Sequence, residues 1–483
     1  MTLKEKTTKG LFWSFIDQFT TQGIGFIIGI ILARILNPSD YGMIGMLAIF
    51  IAVANTFIVG GFGTALVQKS DRSQVDFSTV FLFNLVVAVF LYSILFITAP
   101  FIANFYKLPE LTIITRVIGL TLIIGAISIV PRTILNINID FKTQTKISII
   151  SIILSGSVGI VMAYSGYGVW ALIVQSILSA ILQTILLIYF IKWRPSFEFS
   201  KQSFKQLFGY GSKIVAATLI DTIFTNIYSL VIGKRFSAAD LGQYTRAQQL
   251  ESFPASNITN IIQRVTFPVL CSIQDDQTRL IDAYRKLIRM AAFLIFPLMF
   301  LLVLVAKPLI IILLTDKWLP AVELFQILCF SGMLYPIHAI NLNILQAQGR
   351  SDLFFKLEIW KKSMGVFILI ITLPLGLKAM LWGQVASSFI ALFMNTWYTG
   401  KLYNYGIWKQ GKDIILYLLT AIIICFLLFQ FIGFFDSNWI KLMIGGLSYT
   451  ILYIGITWVF KSEELKQTTT LIFIPIKNII RKK

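Results

Sequence analysis

Charge, histidine and cysteine are all scarce in this 483-residue chain. Only 13% of its residues are charged, one is histidine and three are cysteine. Soluble domains carry about 25% charged residues, so this composition excludes an ordinary soluble protein. Cys271, Cys329 and Cys425 are isolated in or beside apolar segments, and they form no spacing typical of a metal site or a disulfide framework.

Acidic residues are the scarcer charge: 22 Asp and Glu stand against 41 Lys and Arg, a formal net charge of +19. The sequence contains no phosphate-cradling glycine loop, no HExxH motif and no DxD-like carboxylate pair. We therefore expect a protein that is not an enzyme and needs no metal or cofactor. The cations mostly fill short loops on one side, which indicates membrane topology and anionic membrane lipids as partners, and no nucleic acid.

Apolar residues are abundant, at 57% of the chain with a mean hydropathy of +0.80. They form many separate runs of roughly 20 residues, each long enough to cross about 30 Å of hydrocarbon. The sequence therefore predicts an all-α polytopic membrane protein. About fourteen spans are expected, at 11–36, 43–63, 78–99, 111–135, 147–165, 168–191, 211–233, 245–270, 287–306, 320–346, 354–376, 378–402, 412–433 and 439–460.

The distribution of Lys and Arg predicts the orientation. Placing the N-terminus inside puts most of the 41 cations on the cytoplasmic side. The basic N-terminus leads into an apolar run that is too long for a signal peptide and lacks its cleavage site, so it is expected to be a retained first span. An even number of spans returns the C-terminal tail to the cytoplasm, where the apolar segment Leu471–Ile480 is expected to lie on the membrane surface.

A long internal repeat organises the chain. Leu11–Gly42 and Gly211–Gly242 align at one offset of 200 residues, pairing Arg34 with Lys234, Asp40 with Asp240, and Gly42 with Gly242. A period of this size suits two homologous membrane bundles around a central site. We expect two six-helix lobes around a central cavity plus two extra helices, divided as an N-lobe at 1–205, a C-lobe at 206–405, two spans at 406–460 and a basic cytoplasmic tail at 461–483.

Polar residues interrupt several predicted spans. An ionisable group in hydrocarbon costs at least about 2.5–3.5 kcal/mol, so it should face the bundle interior or a wet cavity. Gln18, Gln22, Gly25 and Gly29 share one stripe of the first span. The eighth span is the most polar and contains Pro254, which should kink it.

These polar residues predict a water-filled cavity lined by spans 1, 2, 7 and 8, with cations that hold an anionic substrate. Acids on these helices are candidate ion-coupling sites, namely Asp17, Asp221 and Glu251. The alternative interpretation is hydrogen bonding between helices and snorkelling of cations near helix ends. His338 is expected to pack or to form a hydrogen bond.

Several longer motifs follow one another along the chain, namely Trp13 with ILARILNPSDYGMIGM, GFGTALVQK, SIVPRTILNINIDFK, VIGKRFSAADLGQYTRAQQLESFPASNI, RVTFPVL with SIQDD, KWLPAV and GRSDLFFKLEIWKK. Together they resemble the Wzx-type polysaccharide flippases of the MOP exporter superfamily, in the colanic-acid-type branch. The resemblance covers about residues 3–405, in order, and is specific to the branch rather than to a substrate.

The resemblance implies a bacterial inner-membrane protein with both termini cytoplasmic. Its implied activity is movement of undecaprenyl-pyrophosphate-linked oligosaccharide to the periplasmic leaflet by alternating access, with a polysaccharide polymerase and a chain-length regulator as expected partners. Carried over residue by residue, the candidate phosphate or sugar contacts are Arg34, Lys234, Arg246 and Arg264, and the candidate sugar contacts are Gln22, Asn55, Gln248 and Asn257. The resemblance also implies an acid in the seventh span two residues after Asn226, where this chain has Tyr228; Asp221 is the candidate replacement.

Other classes of protein remain open at this point. A cation-coupled multidrug or small-solute antiporter of the same superfamily should have a cavity in which acids outnumber bases, whereas these candidates lean basic. A membrane polysaccharide polymerase or acyltransferase needs catalytic residues, often with a large extracytoplasmic loop. A lipid-scaffolding protein would leave the polar helices unexplained.

Overall fold

The computed structural model of the protein describes residues 3–467, including all their side chains except those of 3–12, 14, 15, 210, 264 and 265. The predicted surface helix Leu471–Ile480 lies outside the described residues. The first part of the chain forms α1 Leu3–Ile35, α2 Pro38–Val59, α3 Phe62–Gln68, α4 Gln74–Tyr106, α5 Leu111–Ile118, α6 Leu120–Ile137, α7 Phe141–Tyr164, α8 Val169–Ile191 and α9 Lys201–Arg235.

The second part is also helical. It forms α10 Ala238–Ser272, α11 Gln277–Leu314, α12 Leu319–Gly332, α13 Tyr335–Ala347, α14 Ser351–Thr372, α15 Leu377–Tyr403, α16 Ile407–Ile432 and α17 Asn438–Val459, with short 3-10 turns at Asp316–Trp318 and Leu373–Leu375. No strand occurs between residues 3 and 467. The predicted all-α polytopic membrane fold is confirmed.

Twelve helical segments of the described chain are long and apolar enough to cross a membrane. Two further long helices, α10 and α14, carry more polar residues and coincide with the predicted eighth and eleventh spans. Adding them to the twelve gives fourteen, which is compatible with the predicted number. Glu358, Lys361 and Lys362 explain the low hydropathy of α14.

The chain divides into two compact units, Met1–Thr245 (unit 1) and Arg246–Lys483 (unit 2). The predicted division into lobes between residues 205 and 206 stays a prediction, and the boundary between these two compact units falls inside α10. The reason lies within unit 1, where α9 packs along α2. Thr56 and Thr222 join these two helices by a hydroxyl–hydroxyl hydrogen bond of 3.0 Å.

Unit 1 is built from helices stacked in pairs, with α1 on α7, α7 on α8, and α6 on both α4 and α8. Phe62, Leu66 and Phe81 belong to a buried cluster that joins α3, α4, α6 and α9. Between α2 and α3 the chain turns through Gly60 and Gly61, both with positive φ. A Cβ on Gly61 would lie 2.9 Å from the carbonyl oxygen of Gly211, so the close approach of α9 requires glycine here.

Unit 2 is organised around α11, which packs on α12, α16 and α17. A buried polar network ties α11, α13 and α16 together. The hydroxyl of Tyr284 donates to Oδ1 of Asn341 at 2.5 Å, and Nε2 of Gln410 donates to the Tyr284 hydroxyl at 2.9 Å. Because buried polar groups are costly when left unsatisfied, this network fixes the register of the three helices.

Candidate functional site

A polar cavity of about 530 Å³ lies within unit 1, among helices that are otherwise apolar. It is bounded by α2, α3 and α6, and the glycine turn between α2 and α3 brings the start of α3 to its wall. Its lining combines hydroxyl, amide and guanidinium groups with aliphatic carbon, from Asn55, Ile58, Val59, Gly63, Thr64, Val67, Gly125, Ser128, Ile129, Arg132, Thr133 and Asn136. These donors and acceptors are suited to a hydroxylated or anionic ligand.

Arg132 supplies the positive charge of this cavity. Its side chain is exposed to the cavity although it lies deep among protein atoms. Its Nη2 donates to Oε1 of Gln183 on α8 at 2.6 Å, and its guanidinium interacts electrostatically with the carboxylate of Asp17 on α1. These two neighbours orient Arg132, while a guanidinium has five N–H donors in all and can offer others to a ligand.

Of the predicted residues of unit 1, Asn55 lines this cavity, and Asp17 does not line it but lies within electrostatic range of Arg132. Asp17 is half-buried against Thr145 and Ser148 of α7, and Asn55 lines the wall. Sequence reasoning missed Arg132, although the signal was present: an arginine directly after Pro131 within an apolar segment. A charged residue in such a segment is a functional candidate by default.

A second polar cavity, of about 480 Å³, lies within unit 2. It is lined by residues of α10, α12, α13, α14 and α15, which are Ser256, Thr259, Asn260, Gln263, Ser331, Tyr335, His338, Ala339, Leu342, Glu358, Lys361, Gln384, Ser387, Ser388 and Ala391. Lys361 and Glu358 form an ion pair at its edge. This cavity thus also combines hydroxyl and amide groups with one acid and one base.

His338 is held by hydrogen bonds, as predicted. Its Nε2 lies 3.1 Å from the Ser388 hydroxyl, and its Nδ1 lies 3.2 Å from Nδ2 of Asn395. The amide of Asn395 can donate only from Nδ2, so Nδ1 accepts and Nε2 carries the proton that Ser388 receives. His338 is therefore placed by α15 with one edge on the cavity.

Of the predicted residues on α10, Arg246, Gln248, Glu251 and Asn257 do not line the unit 2 cavity. Nη1 of Arg246 donates to Oε1 of Gln249 at 2.5 Å, and Nδ2 of Asn257 donates to the Phe253 carbonyl at 2.6 Å. The Arg264 side chain is outside the described residues. On α10 the lining of the cavity begins at Ser256. Arg246, Gln248 and Glu251 come before Ser256, and Asn257 directly follows it.

Glu251 is buried, and its carboxylate packs against Gly332 of α12. A Cβ on Gly332 of α12 would lie 1.8 Å from Oε1 of Glu251, so the carboxylate fills the notch that this glycine leaves. Cys329, one turn earlier on α12, lies within electrostatic range of the carboxylate. A buried carboxylate is a suitable group for ion coupling. The ion-coupling role of Glu251 stays a prediction.

Comparison with known proteins identifies the family. A profile described as polysaccharide biosynthesis protein matches residues 31–323, which is more than half of the chain. The chain belongs to the polysaccharide biosynthesis protein family.

Curated relatives agree with this assignment. The lipopolysaccharide biosynthesis protein WzxC of Escherichia coli (strain K12) is 25% identical over 75% of this chain and 74% of its own. The succinoglycan biosynthesis transport protein ExoT of Rhizobium meliloti (strain 1021) is 25% identical over 93% of both chains. The resemblance to Wzx-type flippases of the MOP superfamily is thereby confirmed.

A solved structure has the same fold. The lipid II flippase MurJ in an inward closed conformation superimposes with a TM-score of 0.75, at 15% identity, over 93% of this chain and 99% of that chain. At this identity the likeness concerns the fold alone. It agrees with the multi-pass membrane architecture of this polysaccharide biosynthesis family member.

In this family member, Lys234 has a defined structural partner. Its Nζ donates to the carbonyl oxygen of Phe105 in the last turn of α4 and lies 4.1 Å from the centroid of the Phe105 ring. A cation at this position satisfies a terminal carbonyl and complements the helix dipole. Arg34, its partner in the repeat, is an exposed residue in the last turn of α1.

The other predicted residues of unit 1 lie on helix surfaces. Gln22 is exposed on α1, and Asp221 is exposed on α9. Asp221 precedes Thr222, which bonds to Thr56 of α2. Neither residue lines the unit 1 cavity, so their assignment as a sugar contact and an ion-coupling site rests on the family resemblance. No group of three or more His, Cys, Asp or Glu residues able to hold a metal occurs within the described part of the chain.

Proposed function

We propose that this protein is a flippase that moves undecaprenyl-pyrophosphate-linked oligosaccharide from the cytoplasmic to the periplasmic leaflet of the bacterial inner membrane. It acts by alternating access in surface polysaccharide biosynthesis and is a transporter, not an enzyme. Both termini are cytoplasmic. A polysaccharide polymerase and a chain-length regulator are its functional partners.

The observation that carries this proposal is the unit 1 cavity, in which Arg132 offers a guanidinium among amide and hydroxyl groups within an apolar helix bundle. A diphosphate headgroup with sugars cannot cross hydrocarbon unaided, so its hydration must be replaced by polar groups. The planar fork of an arginine suits phosphate oxygens. Asn55, Asn136 and the hydroxyls of the wall suit sugar hydroxyls.

The predicted residues have proposed roles in this transport cycle. Arg34, Lys234, Arg246 and Arg264 contact phosphate or sugar, and Gln22, Asn55, Gln248 and Asn257 contact sugar. Asp17, Asp221 and Glu251 couple transport to an ion gradient. We add Arg132 as the phosphate contact that Asp17 and Gln183 position.

Deletion of the gene in its host tests the proposal, with analysis of surface polysaccharide and of lipid-linked intermediates. We expect loss of polymer and accumulation of oligosaccharide–pyrophosphoryl lipid that remains accessible only from the cytoplasmic side. Restoration by the intact gene is the control. Unchanged polymer with altered sensitivity to cationic drugs would contradict the flippase and favour an antiporter of the same superfamily.

A further inference from the structure

A groove of about 540 Å³ opens at the turn that joins α15 to α16, within unit 2. It shares no lining residue with the polar cavity of that unit. Its walls combine aromatic rings, lysine side chains and a turn amide, which are Phe393, Trp397, Lys401, Asn404, Trp408 and Lys409. The proposed transport cycle gives this groove no role.

The turn itself leaves the space for the groove. Gly400 and Gly406 approach so closely that a Cβ on Gly400 would lie 3.0 Å from Cα of Gly406. Asn404 between them adopts a left-handed conformation with φ of 54°. The hydroxyl of Thr399 donates to the carbonyl oxygen of Tyr405 at 3.2 Å and closes the turn. The groove is therefore a fixed feature of the backbone.

Two lysines give the groove an uncompensated positive charge. Lys401 and Lys409 are both exposed, and neither forms an ion pair with any of the side chains that the structure describes. The next acid along α16, Asp413, is already engaged, because Arg285 binds it at 2.9 Å and the Tyr405 hydroxyl donates to it at 2.7 Å. The two ammonium groups therefore favour an anionic ligand.

An apolar track leads to the lysines along one face of α15. Phe389, Phe393 and Trp397 follow each other at intervals of four residues and are 44%, 51% and 63% exposed, and Lys401 comes one turn later. Trp408, 85% exposed, stands on the opposite wall. In a membrane protein such a face contacts acyl chains, and tryptophans next to lysines mark the level of the lipid headgroups.

We propose that this groove binds one anionic phospholipid, with its phosphate between Lys401 and Lys409 and an acyl chain along Phe393 and Phe389. Basic pockets between helices on the cytoplasmic side of a membrane are typical headgroup sites, and the predicted topology puts this turn on that side. The site is separate from the transport cavities, so it concerns a regulatory or anchoring lipid rather than the transported one.

Native mass spectrometry of the purified full-length protein in detergent tests the site, with phosphatidylglycerol and phosphatidylcholine as probes. We expect the Lys401→Gln/Lys409→Gln variant to bind phosphatidylglycerol roughly thirtyfold more weakly, since each of the two lysines near a phosphate contributes on the order of 1 kcal/mol and about 1.4 kcal/mol is tenfold in affinity. Phosphatidylcholine binding should not change. Trp397→Ala, which keeps both lysine charges, should weaken the binding of both lipids by a smaller factor.

The matched control is Lys201→Gln/Lys205→Gln, which removes the same charge from two exposed lysines at the start of α9. Equal phosphatidylglycerol binding by the two double variants would overturn the proposal.

The substrate of the proposed transport carries phosphate too, so undecaprenyl pyrophosphate and millimolar inorganic phosphate are added as competitors. Displacement of phosphatidylglycerol by either at a lower concentration than phosphatidylglycerol itself would assign the groove to that ligand and refute a phospholipid site. Thermal unfolding of each variant confirms that it folds.

Discussion

Gly42 and Gly242 occupy equivalent positions of the 200-residue repeat, and each lies against the backbone where the other's helix begins. A Cβ on Gly42 would lie 1.7 Å from the carbonyl oxygen of Ala238, and a Cβ on Gly242 would lie 1.8 Å from that of Pro38. Pro38 and Ala238 are themselves equivalent in the repeat. The contact between the starts of α2 and α10 is thus reciprocal, as expected when two copies of one motif meet face to face.

The helix starts themselves are built alike. Oδ2 of Asp40 accepts from the backbone N–H of Asn37 at 2.9 Å, and Oδ2 of Asp240 accepts from that of Ser237 at 3.1 Å. Each acid thereby stabilises the first turn of its helix. The Asp-x-Gly pattern in both repeats has a physical reason: aspartate caps the helix, and glycine two residues later admits the facing backbone.

We predict that Gly42→Ala and Gly242→Ala each lower the free energy of unfolding by about 1–3 kcal/mol, because the added methyl group would meet backbone that has no side chain to rotate away. Thermal unfolding of the purified protein in detergent measures the loss. Gly455→Ala, with nothing within 4 Å of its added Cβ, is the control. The double variant should lose less than the sum, since either substitution already separates the two helix starts; strictly additive losses would contradict a shared contact.

Lys234 offers a second test, because the predicted and the observed surroundings suggest different roles. If its bond to the Phe105 carbonyl is its main role, Lys234→Met lowers the free energy of unfolding by about 1 kcal/mol, and Lys234→Arg restores most of it. Lys213→Met, on the exposed surface of the same helix, should have no effect. Loss of polymer export at full stability would instead assign Lys234 to the substrate.

Much of the fold could be predicted from the sequence because the bilayer imposes a length and an apolar composition on every span. Twelve of the predicted spans each coincide with a long helix, including α10 and α14, and the predicted spans 111–135 and 320–346 are each covered by two consecutive shorter helices. The repeat could also be predicted from the sequence, because the contact between the starts of α2 and α10 requires glycine at both Gly42 and Gly242. What helical periodicity could not predict is which stretch of α2 faces α9, because both helices have polar residues on more than one face.

The site was harder to predict for a related reason. The residues predicted from the sequence lie on spans 1, 2, 7 and 8, where polar residues are frequent. Arg132 is a single charge in α6 next to Pro131, and the packing of α6 on α8 brings it to Gln183. Asp17 of α1 lies within electrostatic range of it. Glu358 and Lys361 form an ion pair. The sequence of their helix, α14, is therefore typical of an amphipathic helix at a protein surface, although α14 lines the unit 2 cavity.

The unit 1 cavity leads to a third prediction. Arg132→Gln should reduce polymer export in complemented deletion cells at least tenfold, because a hydrogen-bonded charge contributes about 1.5–3 kcal/mol to binding an ionised partner. Arg132→Lys should recover part of the export, since lysine retains the charge and loses the planar fork. Surface polysaccharide and accumulated lipid-linked oligosaccharide are measured together, at matched protein levels in the membrane.

Arg194→Gln is the matched control, because Arg194 is an exposed arginine in the segment between α8 and α9. Asp17→Asn should reduce export less than Arg132→Gln, and a double variant that matches Arg132→Gln would mean that Asp17 acts by positioning the guanidinium rather than by ion coupling. Normal export by Arg132→Gln would remove Arg132 from the site. A double variant much worse than either single one would give Asp17 a role of its own, such as ion coupling.

Glu464 lies just beyond the last span and provides a pH-dependent contact. Its Oε1 lies 2.7 Å from Nε of Arg289 on α11, and its Oε2 accepts from the hydroxyls of Tyr417 and Ser462, the latter at 2.9 Å. Burial alone would raise the pKa of Glu464, but these hydrogen bonds and the charge of Arg289 oppose it, and its pKa lies below the ordinary value of 4.5. The contact holds the segment after α17 to α11 and α16.

A carboxyl whose pKa is lowered by folding adds stability above its unfolded-state pKa, and that stability disappears as the pH falls through the lowered value. We therefore expect Glu464→Gln to lower the free energy of unfolding by about 1–3 kcal/mol at pH 7, and the difference from the unmodified protein to shrink below pH 4.5. Thermal unfolding in detergent across that range measures it. Glu463→Gln, at the exposed neighbouring position, should follow the unmodified protein at every pH. A Glu464→Gln penalty that stays constant down to the lowest pH would mean that shape rather than charge holds this segment in place.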